Sequence, residues 1–127
     1  MARPEDFCRT WTFKSAPEGQ KAYPEGGTVT IGRQYEEGKQ KFMLAWTDMD
    51  GDLHVLTGLT LHEEGYLHAA EGSPDLATGR PWKIRIYHSK NTDHDTIEGK
   101  VAPHDPIHEG DLSGNWGAEA PPREGEG

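Results

Sequence analysis

Tyr66, His68 and His88 are side chains that move protons, while Arg33 and Thr57 are side chains that hold oxygen atoms. Tyrosine and histidine offer donors and acceptors suited to acid-base work, and a guanidinium anchors a carboxylate or polarises a carbonyl. Read at strand spacing, several of them share parity with large apolar neighbours. His88 continues Trp82-x-Ile84-x-Ile86, and Arg33 continues Val29-x-Ile31. Successive strand side chains face opposite sides, so these polar groups are expected among apolar walls. Polar residues near strand ends also stand in water at a barrel rim, and Asp48, Arg33 and His88 all lie near such ends.

The walls are aromatic. Each of the four tryptophans has the alternation parity of its strand's other large apolar residues: Phe7, Trp11 and Phe13; Phe42, Leu44 and Trp46; Trp82, Ile84 and Ile86; Leu112 and Trp116. Arg9 lies between Phe7 and Trp11, placed to lay its guanidinium on an indole and close one end of a barrel. Eight strand-like runs can be marked, over 7–14, 28–34, 40–47, 53–61, 65–71, 82–88, 96–102 and 111–119. Helical periodicity is absent over any useful window. The expected fold is all-β, a single antiparallel eight-stranded up-and-down barrel over 1–119, with a disordered tail over 120–127.

Turn chemistry extends the reading to register. A two-residue turn at Asp50-Gly51 would pair Asp48 with Leu53, turning Leu53, Val55, Thr57, Leu59 and Leu61 inward and His54 and His62 outward. A second such turn at Glu64-Gly65 would pair Leu61 with His68 and bring Tyr66, His68 and Ala70 inward. On the remaining strands, Ile97, Gly99, Val101, Gly114 and Ala118 are expected inside, with Lys83, Arg85 and Tyr87 outside.

Composition bounds the partners. The chain has 22 acidic against 13 basic residues and a net charge of -9, with the basic residues dispersed, which argues against nucleic acid. No apolar run approaches the roughly 20 residues of a membrane helix, so no membrane partner is expected. The single Cys8 cannot form an intrachain disulfide and agrees with a reducing compartment. These features fit a soluble, cytoplasmic monomer or homodimer. There is no P-loop, dinucleotide fingerprint, Gly-x-Ser-x-Gly or His-Glu-x-x-His, and no cofactor is expected. Among the seven histidines, His104 with His108 and His88 with His94 have ligand-like spacing. Spacing alone does not bring three or four ligands together, and no metal is assigned. His68 with His88, and Asp48 as a third ligand, is the inward set such a site would use.

The succession of eight strands, the Arg9-x-Trp11 of the first and the Gly114-Asn115-Trp116-Gly117 of the last resemble the calycin group, the lipocalins, fatty-acid-binding proteins and avidins. Lipocalins carry Gly-x-Trp where this chain has Arg9-x-Trp11. The resemblance implies a barrel that receives a small molecule. Small barrel enzymes, including allene oxide cyclase-like proteins and phenolic acid decarboxylases, are similar at this level. Three readings follow. In the first, a small apolar or aromatic molecule is bound inside by Trp11, Arg33, Trp46, Thr57, Tyr66, His68, Trp82, His88 and Trp116. The second is a cofactor-independent cyclase, isomerase or decarboxylase with Tyr66, His68 and His88 as acid-base groups. A histidine-based metal site is the third.

Overall fold

The computed structural model describes residues 3–16, 22–36, 38–76, 79, 81–91, 93–103 and 114–121. One short helix, α1 (Pro4–Phe7), precedes eight strands: β1 (Thr10–Ser15), β2 (Thr28–Glu36), β3 (Lys39–Thr47), β4 (Leu53–Leu61), β5 (Leu67–Pro74), β6 (Pro81–Lys90), β7 (Asp95–Pro103) and β8 (Gly114–Ala120). Each strand pairs antiparallel with its sequence neighbours, and β8 returns to β1, so the sheet closes as an up-and-down barrel. Closure removes the two exposed edges an open sheet would present. The eight expected strands are all present. Their bounds differ at several ends: β1 begins at Thr10, because Phe7 ends α1, entered at Pro4, and is buried under the barrel; β5 runs Leu67–Pro74 where 65–71 was expected; and Ala120, expected in the tail, closes β8, while 111–113 and 122–127 lie outside the described residues.

Packing follows the aromatic parity. Trp11, Trp46, Trp82 and Trp116 are at most 3% exposed and share the interior with Phe13, Phe42, Leu44, Ile84, Ile86 and Ile97. Lys83 and Arg85 alternate outward with them. Trp116 and Gly99 are register partners. The indole lies so close to this glycine that a Cβ built there would stand 2.2 Å from Cε2 and 2.6 Å from Nε1. The large residue of β8 thus requires the missing side chain of β7. Alternation of large and small residues is how a narrow barrel fills its interior without overlap.

Two hairpins depart from the expected register for one reason. In the β3–β4 connection the Gly51 amide donates to the Asp48 carbonyl, and the Asp48 amide to the Asp52 carbonyl. The β4–β5 connection repeats this, with Gly65 donating to His62 and His62 to Tyr66. Each glycine has positive φ, 86° at Gly51 and 95° at Gly65. Both are three-residue loops with a left-handed glycine last, where the dipeptides Asp-Gly and Glu-Gly suggested two-residue turns. The extra residue slips the register by one and reverses the faces. Trp46 therefore pairs with His54 and Leu44 with Leu56; His54 and Leu56 are buried, while Leu53 is 48% exposed and Thr57 is turned away from the core. A bulge at Thr57-Gly58, with Gly58 at φ 76°, restores the expected parity, so that Phe42 pairs with Leu59 and Leu59 is buried. On β5, Leu61 pairs with Leu67, which sends Leu67 and Ala69 inside and Tyr66 and His68 to the outer face.

The Trp116 contact gives a stability test. Gly99→Ala is expected to cost about 1–3 kcal/mol through overpacking. Gly32→Ala, whose new Cβ would meet only Met43 Cγ at 4.0 Å, should be neutral or gain up to about 1 kcal/mol. Chemical denaturation of both variants checks this, and an unaffected Gly99→Ala would contradict the packing described.

Candidate functional site

The register change places a histidine where an apolar residue was expected. Asp48 begins the three-residue loop, and its Oδ1 accepts from the backbone amides of Asp50 at 2.8 Å and Asp52 at 3.0 Å. Its Oδ2 is thereby fixed toward His54 Nε2, 2.7 Å away. On the other side of the ring, His54 Nδ1 lies 3.0 Å from Asp75 Oδ2. Asp75 follows β5 and bridges to Leu56, and its Oδ1 accepts from the Val55 amide at 3.2 Å. His54 also stacks on Trp46, with centroids 5.1 Å apart and planes at 20°. Both ring nitrogens are committed to carboxylates. His54 is therefore a clamp between the β3–β4 loop and the chain after β5, and neither nitrogen is open to a substrate.

Electrostatics favour the charged ring. Burial alone would lower the His54 pKa, but the hydrogen bonds and charges of Asp75 and Asp48 raise it above its ordinary 6.5. Burial pushes the Asp48 carboxyl up; the His54 bond and the Asp52 and Asp50 amides outweigh it and hold the group below its ordinary 3.8.

Next to this clamp sits Tyr23, supplied by the β1–β2 connection and not by a strand. It is 1% exposed. Its ring stacks on Trp46 at 5.7 Å and 26°, and meets Trp116 at 5.8 Å and Phe13 at 5.9 Å. Trp46 Nε1 donates to the carbonyl of Ala22 at 2.6 Å, which fixes the segment in place. Just beyond, the Gly27 amide donates to the Pro24 carbonyl, and the Gly26 amide to the Phe13 carbonyl, so a tight turn ties the loop back to β1. Burial raises the Tyr23 phenol pKa, and the charge of Asp75 raises it further. Tyr23 is thus a neutral ring lodged between two indoles. On the same wall, Trp116 Nε1 is buried without a hydrogen-bond partner among the described residues.

A second polar group occupies the α1 end. His88 meets Phe7 at 5.8 Å and Trp11 at 6.2 Å, both edge-on, and Arg9 lies over Trp11 at 5.4 Å. Asp95 Oδ2 is 3.6 Å from His88 Nε2 and 3.9 Å from Arg9 Nη1. Trp11 Nε1 donates to the Phe7 carbonyl at 2.9 Å, so α1 is pinned across this end. Arg9 thus stacks on Trp11 as its spacing suggested.

The sequence candidates fall in three places. Trp11, Trp46, Trp82, Trp116 and His88 line the interior, with His88 among the aromatics of the α1 end. Arg33 is not an inner donor: it reaches out of the rim to pair with Glu5 of α1 at 2.9 Å. Thr57, Tyr66 and His68 are outside, Thr57 offering its carbonyl to Ser73 Oγ at 2.5 Å. His68 and His88 therefore cannot converge, and Asp48 lies at the opposite end from His88. No group of three metal-ligating side chains assembles among the described residues, and His104 and His108 lie outside them. Sequence reasoning missed His54, Asp75 and Tyr23. An isolated aromatic in a polar loop, two residues before a Glu-Gly-Gly turn, was the available sign of Tyr23.

Comparison with protein-family models, curated proteins and solved structures finds no match to this chain. Its class is therefore defined by the fold and the site: a closed antiparallel barrel with a buried aromatic cluster.

The clamp predicts a pH dependence. A raised folded pKa means that His54 contributes stability fully below its ordinary 6.5, lost as pH rises through the folded value. Asp48, lowered from 3.8, contributes above that value and loses it as pH falls through the folded one. His68, whose pKa is lowered by burial and by His62 and Arg85, acts in the opposite sense to His54. The difference in unfolding free energy between wild type and His54→Gln should therefore shrink as pH rises above 6.5. A constant difference from pH 5 to 9 would contradict the charged clamp. Asp75→Ala, leaving a buried ring without its partner, should cost about 3 kcal/mol or more near pH 6.

Proposed function

We propose that the protein binds a small aromatic or apolar molecule inside the barrel, admitted at the Tyr23 end. The observation that carries this reading is Tyr23 itself. A loop, not a strand, delivers a flat ring between Trp46 and Trp116, which is the position a flat guest would take. Tyr23, the four indoles and the apolar strand residues pack as one buried cluster, so in this reading binding proceeds by exchange: the guest replaces Tyr23 and the loop gives way.

Two polar features support this. Burial and the charge of Asp75 both raise the pKa of the Tyr23 phenol, so a neutral hydroxyl is favoured over an anion in its place. Trp116 Nε1 would donate to an acceptor on the guest, satisfying a donor that has no partner among the described residues. Apolar walls with a few placed polar groups are how small-molecule sites are built. A barrel whose competent state is only partly populated binds more weakly by that fraction, so Tyr23 sets the apparent affinity.

The test uses 2-naphthol, a flat ring with one hydroxyl. It should quench tryptophan emission in the wild type and make Tyr23 newly reactive toward tetranitromethane, read by mass spectrometry against the outward Tyr66 and Tyr87. Tyr23→Ala should bind about tenfold more tightly. Trp46→Leu should bind more weakly, by about 2 kcal/mol if the indole is a hot spot. Failure of Tyr23 to become reactive while 2-naphthol binds would overturn the exchange. Absence of binding to both wild type and a folded Tyr23→Ala would overturn the pocket.

A further inference from the structure

The outer face of β6–β8 presents an arrangement that the acidic composition makes conspicuous. Arg85 and Lys100 are direct register partners on neighbouring strands, and Lys83 stands two residues before Arg85 on the same face. Like charges placed directly opposite destabilise a sheet. A chain with 22 acidic residues had ample means to place a carboxylate at one of these positions. Among the described residues, none of the three cations forms an ion pair with a carboxylate. Lys83, Arg85, Lys100 and Asn115 line one groove of about 470 Å³, whose lining among the described residues contains no acidic side chain.

Aromatic neighbours hold the cations in place without neutralising them. The Arg85 guanidinium lies 5.4 Å from the centroid of the Tyr66 ring, and Lys100 Nζ is 5.3 Å from that of Tyr87. Tyr66 and Tyr87 touch each other at 5.2 Å, and His62 stacks on Tyr66 at 4.5 Å, so the platform is continuous. A cation over a ring face keeps its charge and loses side-chain freedom, which lowers the entropic cost of recruiting it to a ligand. Glu98, opposite Tyr87, and Glu64, in the β4–β5 turn, carry the neighbouring negative charge.

We propose that this groove is a binding site for a phosphate monoester, with Arg85 as the fork that grips the oxyanion and Lys83 and Lys100 as flanking point charges. Three cations and one neutral amide match a multiply charged tetrahedral anion better than a single carboxylate. The groove is of a size that takes a small molecule. The site lies outside the barrel and is independent of the interior reading.

Phenyl phosphate, titrated into the full chain at low salt and followed by amide chemical shifts, tests it. The expected shifts are confined to residues around 83, 85, 100 and 115. Arg85→Gln should weaken binding at least tenfold and Lys100→Gln at least fivefold, while Lys41→Gln on β3 leaves it unchanged. Lys100→Gln relieves a like-charge pair and should not lower the midpoint of thermal unfolding. A lower midpoint would mark the lysine as structural and count against the site. Vesicles of phosphatidylcholine with one-fifth phosphatidic acid distinguish the source of the ester: binding to phenyl phosphate alone assigns a free ligand, and binding to vesicles as well assigns a lipid headgroup. Equal losses in Arg85→Gln and Lys41→Gln, shifts spread over the whole surface, or a clear preference for a single-stranded oligonucleotide over both phosphate esters would each overturn the proposal.

Discussion

An eight-stranded barrel has an interior only just wide enough for side chains, and here four indoles must fit inside it. That volume constraint governs the rest of the molecule. It requires Gly99 opposite Trp116, so that one wall yields space to the largest residue of the other. It also leaves room at the β3–β4 loop end for one further ring, which Tyr23 supplies from a loop, and at the α1 end for Phe7. Under the proposed function, a guest enters such an interior by replacing something. Tyr23 is the element proposed to give way, because its burial is not tied to a strand ladder.

The same constraint explains the clamp. A ring stacked beneath Trp46 must be flat, and at this position the chain uses an imidazole held by carboxylates on both edges. Two acids around one histidine are costly to bury unless the ring is charged; the Asp50 and Asp52 amides help hold Asp48 ionised, and the Val55 amide gives Asp75 a further partner. The result joins the β3–β4 loop, the start of β4 and the segment after β5. Loop geometry at this end is therefore set by an ionisable group.

The barrel was legible because period-two alternation of large apolar residues survives in strands β1, β3, β6, β7 and β8, and the tryptophan parity needed no knowledge of turns. What was not legible was register across β4 and β5. Asp50-Gly51 and Glu64-Gly65 look alike whether glycine is the second residue of a two-residue loop or the third of a three-residue one, and the difference reverses every face that follows. Leu53, Val55 and Thr57 repeat as convincingly as His54 and Leu56, so the apolar pattern did not arbitrate. The bulge at Gly58 then made the later part of β4 agree with the wrong register. His54 and Asp75 were lost for that reason, and Tyr66 and His68 were placed inside when they belong to the outer platform of Arg85 and Lys100.

Exchange within the aromatic interior is the central proposal for this barrel. Fluorine NMR of the protein labelled with 5-fluorotryptophan resolves the four indoles separately and tests that claim most directly. On addition of 2-naphthol, the resonances of Trp46 and Trp116 should move while that of Trp11, at the α1 end, stays in place. Four resonances that do not respond, or four that move together as the fold loosens, would contradict it.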